Sequence, residues 1–157
     1  MEMIAGVDEV GRGALAGPVV SSAVVLPEKY SLIGLNDSKL LSPKKREELF
    51  DKIQNQAITI GIGIADEKEI DKTNILQATF TSMQRALGQC NQKPDKALID
   101  GKPLPNQIIP NKGIINGDAF VPSIQAASII AKVTRDKLIL EIGKIFSEYD
   151  FFYNKGY

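Results

Sequence analysis

The order in which strand-like and helix-like stretches follow one another constrains this chain most. Three short apolar stretches lie in its first part: Met3 to Asp8, Val19 to Leu26 (VVSSAVVL) and Ile58 to Ile64 (ITIGIGI). They are rich in β-branched residues, or alternate apolar residues with Thr and Gly, and they read as strands. A short turn containing glycine and proline joins the first two, which predicts an antiparallel hairpin. Ser42-Pro43 predicts a helix start, with Ser as N-cap and Pro at the first helical position. Leu49 and Ile53 supply that helix with an apolar pair one turn apart. Asp66 and Glu69 have the spacing of a capping box. A longer helix is predicted from about Thr73 to Gln89, with Ile75, Thr79, Met83 and Leu87 near one face. Two more strands follow, Lys96 to Ile99 and Gly113 to Asn116, separated by a proline-rich loop. A last helix is predicted from about Ile124 to Phe146, its first half lined with Ala126, Ala127, Ser128 and Ala131. Grouped by kind, three strands precede helices, then come two strands and a final helix. That predicts a mixed α/β domain, antiparallel first and parallel later.

A length of 157 residues predicts a single domain over 1–157. The chain has no histidine, which removes His-based triads and His-ligated zinc. Its one cysteine, Cys90, precludes an intrachain disulfide. Acid, base and metal chemistry must therefore come from Asp, Glu, Lys or Tyr. Lys plus Arg and Asp plus Glu both number 19, so the net charge does not advertise a nucleic-acid binder. The N-terminus carries no basic region or long apolar run, so a cytoplasmic location and no membrane partner are expected.

Three of the predicted strands end in acids followed by, or next to, glycine: Asp8-Glu9 before Gly11, Asp100 before Gly101, and Asp118 after Gly117. Ligands collect at strand ends in open α/β sheets. If these ends converge, four carboxylates share one site and repel one another. Divalent cations resolve that repulsion, and oxygen-only ligands select Mg²⁺ or Mn²⁺. Two such ions about 4 Å apart suit in-line displacement at phosphorus. Adjacent strand residues point to opposite faces, so Asp8 and Glu9 serve one site only if the strand ends or bends between them. A phosphatase or a small-molecule metal enzyme fits this spacing equally well.

The chain resembles the ribonuclease HII family, the type 2 ribonucleases H, from Ala5 to its last residue. The resemblance is carried by AGVDEVGRG (5–13), GLNDSK (34–39), Glu69-Ile70-Asp71 with Asn74-Ile75-Leu76, ALIDG (97–101), Gly117-Asp118, AASIIAKVTRD (126–136) and NKGY (154–157). The related type 3 family carries an extra N-terminal domain. Here the first strand begins at residue 3, so type 2 is the better match. The resemblance implies a ribonuclease H-like fold, α/β, with a five-stranded mixed sheet flanked by helices. It implies endonucleolytic cleavage of RNA in RNA–DNA hybrids and incision 5′ to single ribonucleotides in duplex DNA. Those two nucleic acids are the expected partners, and a monomer is the expected state.

The family's catalytic and metal-binding carboxylates fall on Asp8, Glu9, Asp100 and Asp118. Two Mn²⁺ or Mg²⁺ ions are implied, one activating water and one stabilising the leaving oxygen, with 5′-phosphate and 3′-hydroxyl products. Gly11, Arg12 and Gly13 match the turn that reads the 2′-hydroxyl, which is both donor and acceptor. Tyr157 matches the tyrosine that packs beside the sugar at the RNA-to-DNA junction. Lys39 matches a residue near the substrate backbone. Ser128, Lys132 and Arg135 share a helix face and resemble phosphate contacts. Family members usually continue for some tens of residues, including a histidine and a further helix, often basic. The sequence ends at Tyr157, and without such a tail weaker substrate binding is expected. The alternative expectation is a poorly active hybrid-binding module.

Overall fold

The computed structural model describes residues 1–13, 17–105 and 109–156, with side chains described up to residue 144. Five strands form one sheet in the order β3-β2-β1-β4-β5. They are β1 (Ile4–Val10), β2 (Val19–Val25), β3 (Thr59–Ala65), β4 (Lys96–Asp100) and β5 (Asn111–Ile114). The helices are α1 (Pro43–Gln56), α2 (Glu67–Lys72), α3 (Ile75–Gln89) and α4 (Pro122–Gly156).

The predicted hairpin is present: β1 and β2 pair antiparallel from Ala5–Val25 to Val10–Val20. β3 continues the antiparallel side, while β4 and β5 are parallel additions. The grouping by kind needs correction, because α1 lies between β2 and β3 in the chain. The helix expected over Thr73–Gln89 begins later, at Ile75, with Asn74 as N-cap accepting from the Gln77 amide. Asn74 has an extended backbone, and its side chain satisfies a donor that a continuing helix would have used. The Asp66–Glu69 capping box is present, and it starts the separate short helix α2. Ser42 caps α1 and Pro43 stands at its start, as their identities require. The last strand is Asn111–Ile114 rather than Gly113–Asn116. Asn116 adopts φ 55°, a left-handed conformation that ends extended structure.

The sheet is covered on both faces. On one face Ala5, Val7, Ala23, Ala97 and Ile99 pack with Met83, Ala86 and Cys90 of the α3 segment. On the other, Val24 packs with Leu49 and Ile53 of α1 and with Ala126, Ala127, Ile129 and Ile130 of α4. The small residues of α4 let it lie close to the centre of the sheet. In β3, Ile60 and Ile62 pack on the α1/α4 side, while Gly61 and Gly63 leave room for α3. A methyl at either glycine would strike a backbone carbonyl of α3, of Ala86 or Ser82 respectively. The alternation of isoleucine and glycine thus reflects a different helix approaching each face. Among the described residues, no helix is long and apolar enough to cross a membrane.

Candidate active site

β1 is the central strand, and it carries Asp8 and Glu9. Its parallel pairing with β4 runs from Ile4–Lys96 to Val7–Ile99 and stops there. Beyond Val7, one edge of β1 is therefore open, although its other edge stays paired with β2 through Val10. The strand does not end at Asp8, as the sequence suggested. The open edge instead lets both carboxylates reach one place. One oxygen each from Asp8, Glu9 and Asp100 lie within 4.8 Å of one another.

Asp100 is the last residue of β4, and Asp118 sits in a 3-10 turn, Gly117–Ala119, that precedes α4. The Asp118 amide donates to Asp100 Oδ1 at 3.1 Å, which joins the fourth acid to the other three. Asp118's own carboxylate engages Lys39 Nζ at 3.2 Å and lies outside the close group of three. All four acids line one cleft of about 180 Å³, together with Val10, Ser38, Lys39, Ser128 and Lys132.

The electrostatics are those of crowded, dehydrated acids. Asp8 is 4% exposed, and its carboxyl is held well above the usual carboxylate range. Burial is the main cause, and the Glu9 charge, a side-chain hydrogen bond that Asp8 makes to Glu9 when protonated, and the Asp100 charge add to it. A hydrogen bond from the Glu9 amide to Asp8 Oδ1, at 2.8 Å, opposes the rise. Asp100 is raised too, again chiefly by burial, with the Asp118 amide working against the rise. Glu9 Oε2 is buried without a hydrogen-bond partner. A buried carboxylate oxygen lacking a donor is costly unless a cation completes it. This donor set, all hard oxygen and one of them orphaned, fits a divalent ion such as Mg²⁺ or Mn²⁺.

Lys39 is fixed by its neighbours rather than by burial, since 74% of its side chain is exposed. It belongs to a 3-10 turn, Ser38–Leu40, capped by Asp37, whose Oδ1 accepts from the Lys39 amide at 3.0 Å. Its ammonium lies 3.5 Å from Asp37 Oδ2 as well as beside Asp118. Partial burial disfavours its charge, but the Asp118 hydrogen bond and the two acids outweigh that and raise its pKa.

The face of α4 divides. The Ser128 hydroxyl, at the edge of the cleft, donates to Ser38 Oγ at 2.7 Å and accepts weakly from the Ser38 amide at 3.4 Å. It ties α4 to the turn that carries Lys39. Lys132 lines the cleft and pairs with Asp136 at 2.9 Å. Arg135 leaves this group: its Nε donates to the Pro18 carbonyl at 2.9 Å, between the legs of the β1–β2 turn. Arg12 and Gly13 are exposed in that turn, and Gly11 has φ +98°. Tyr157 lies outside the described residues. Asp37 and Ser38 also belong to the site, Asp37 through Lys39 and Ser38 through Ser128. The Asp-Ser-Lys run held the signal, since Asp two residues before Lys is the spacing of a capped turn.

The family model for ribonuclease HII matches residues 5–157. A ribonuclease HII of Desulfitobacterium hafniense is 54% identical over 154 residues, covering 98% of this chain and 59% of that protein. The chain thus spans about three fifths of the length of the curated relatives it matches. The ribonuclease H2 structure from Pyrococcus horikoshii superposes with a TM-score of 0.78 at 32% identity, covering 94% of this chain and 78% of that one. Ribonuclease HII from Archaeoglobus fulgidus, solved in complex with PCNA, gives a TM-score of 0.76 at 27% identity, covering 92% and 78%. The family match spans all four acids, Asp8, Glu9, Asp100 and Asp118. The fold is ribonuclease H-like, and the chain belongs to the ribonuclease HII family.

Proposed function

We propose that this chain carries the catalytic machinery of a metal-dependent endonuclease. Its substrates are the RNA strand of RNA–DNA hybrids and single ribonucleotides embedded in duplex DNA, incised on their 5′ side. The observation that carries this reading is the convergence of Asp8, Glu9 and Asp100 within 4.8 Å, with Glu9 Oε2 buried and lacking a donor. Asp118 joins them through its amide and lines the same cleft.

Asp8, Glu9, Asp100 and Asp118 would hold two divalent cations. Those ions, Mn²⁺ or Mg²⁺, supply Lewis-acid polarisation of a phosphodiester and lower the pKa of water. The chain's own residues do the rest. The fixed strands hold the acids converged before substrate arrives, so no reorganisation is needed during the reaction. Lys39 and Lys132 put positive charge on the cleft wall, where a phosphate backbone would pass. The Gly11-Arg12-Gly13 turn offers exposed backbone to a minor groove, where the 2′-hydroxyl distinguishes a ribonucleotide. The products would carry 5′-phosphate and 3′-hydroxyl ends.

The test is cleavage of a labelled RNA–DNA hybrid with Mn²⁺, Mg²⁺ or chelator, beside the same RNA unpaired. Metal-dependent cutting of the hybrid alone is expected. It should vanish in Asp8→Asn while hybrid binding persists. Cutting that survives this substitution overturns the assignment.

A further inference from the structure

The β1–β2 turn begins and ends in glycines of left-handed conformation, Gly11 at φ +98° and Gly17 at φ +96°. Such a backbone is open to glycine and strained for other residues. Both glycines face one side chain, Arg135 of α4. A methyl at Gly11 would collide with Arg135 Nε and come within 2.6 Å of the Pro18 carbonyl. A methyl at Gly17 would lie 2.9 Å from Arg135 Nη2 and 2.9 Å from Ile139 Cδ1. Between these contacts, Arg135 Nε donates to the Pro18 carbonyl at 2.9 Å. The two legs of the turn therefore close over one guanidinium.

A second anchor comes from outside α4. The Gly17 amide donates to Glu67 Oε1 at 3.0 Å. Glu67 opens α2, a helix of only six residues that does not hold itself in place. Its position is fixed by Glu69, which closes the capping box with Asp66 and pairs with Arg85 of α3 at 2.8 Å. Arg85 also donates to the Ile64 carbonyl of β3 at 2.7 Å. The Glu69 motif thus acts at a distance, by steadying the element that holds the turn.

We infer that Arg135 is a positioning residue for the Gly11-Arg12-Gly13 turn, acting with Glu67 as a two-point clamp rather than as a contact to phosphate. Its guanidinium is rigid and planar, which suits a fixed post between two backbone legs. A turn held in one conformation binds without a further ordering cost. The clamp therefore sets how sharply a ribonucleotide is told from a deoxyribonucleotide. That consequence rests on the function proposed above, whereas the clamp itself does not.

Two measurements separate the ideas. Amide hydrogen exchange at Gly11, Arg12, Gly13 and Gly17 needs neither metal nor nucleic acid. Arg135→Gln should speed exchange there by about tenfold or more, with peptides of β1 and β4 unchanged. Arg135→Lys keeps the charge but loses the fork, and it should behave like Arg135→Gln. If Arg135→Gln fails to fold, Glu67→Ala leaves α4 untouched and should loosen the same segment. The second measurement is binding, in chelator, to duplex DNA with and without one ribonucleotide across a salt series. Arg135→Gln should cut the preference for the ribonucleotide by about fivefold, with an unchanged salt slope. Unchanged exchange with a slope lowered by about 1 would make Arg135 a phosphate contact and overturn the clamp. Full rescue by Arg135→Lys would overturn it as well. If the wild-type chain shows no ribonucleotide preference, the proposed function falls, and the exchange result still decides the clamp.

Discussion

Replacing Asp8 by Asn should make the metal-free protein more stable while removing its chemistry. Asp8 is 4% exposed, and its carboxylate shares a 4.8 Å neighbourhood with those of Glu9 and Asp100. At an effective dielectric of about 20, two unit charges about 4.8 Å apart repel by about 3.5 kcal/mol. Burial chiefly, and this repulsion in addition, raise the Asp8 pKa and so make its charged form costly in the folded protein. The neutral amide escapes that cost entirely, and its oxygen can still accept from the Glu9 amide as Asp8 Oδ1 does. A net gain of about 1–2 kcal/mol is expected, which for a domain of this size is about 3–6 °C in Tm. The sign with pH follows from the direction of the shift. A carboxyl raised in the folded state binds its proton more tightly there than when unfolded. Its contribution is fully present below the unfolded pKa, about 3.9, and is lost as pH rises through the folded pKa. Wild type and Asp8→Asn should therefore melt alike in acid and diverge as pH rises, with the variant higher. Saturating Mn²⁺ should raise the wild-type Tm and leave the variant's nearly unmoved. The assay is calorimetry in chelator and in Mn²⁺ across pH. An Asp8→Asn protein that melts lower at neutral pH in chelator would refute the reasoning.

Other substitutions test the surroundings of the acids. Lys39→Met removes a cation 3.2 Å from Asp118. Titration with Mn²⁺ should show about 2–5-fold tighter metal binding without substrate, as befits loss of an exposed ion pair, while hybrid affinity falls. Ser128→Ala breaks the 2.7 Å bond to Ser38, costing about 1 kcal/mol in urea unfolding, and should raise KM more than it lowers kcat because the Lys39 turn loosens. Gly11→Ala forces a side chain into φ +98° against the Pro18 carbonyl and should cost about 1–3 kcal/mol by the same unfolding assay.

Much of this architecture is legible in the sequence because local rules and the fold agree. The β-branched run Val19–Val25 is a fully buried strand, and Ser42-Pro43 starts a helix where capping chemistry places it. The four acids stand out because three segments end in them close to a glycine, the first with the pair Asp8-Glu9 and the others with Asp100 and Asp118. What the sequence conceals depends on tertiary contacts. Nothing local shows that β1 loses its β4 neighbour after Val7, the event that frees Glu9 to join Asp8. Nothing local separates Arg135 from Ser128 and Lys132, since helical spacing puts all three on one face. Only the position of the β1–β2 turn over the helix draws Arg135 away from the cleft. The Asn74 break between α2 and α3 is a middle case. Asn is an N-cap former, but it lies one residue past the Thr73 at which helical spacing would start α3, and only its extended backbone marks the break.

The central claim is that this cleft performs metal-dependent phosphodiester hydrolysis guided by a 2′-hydroxyl. The most direct measurement uses duplex DNA containing one ribonucleotide, incubated with Mn²⁺, Mg²⁺ or chelator, with the cut position and end groups mapped. Incision on the 5′ side of the ribonucleotide is expected, only with metal, leaving 3′-hydroxyl and 5′-phosphate ends. Binding without incision, or incision that persists in chelator, would contradict it.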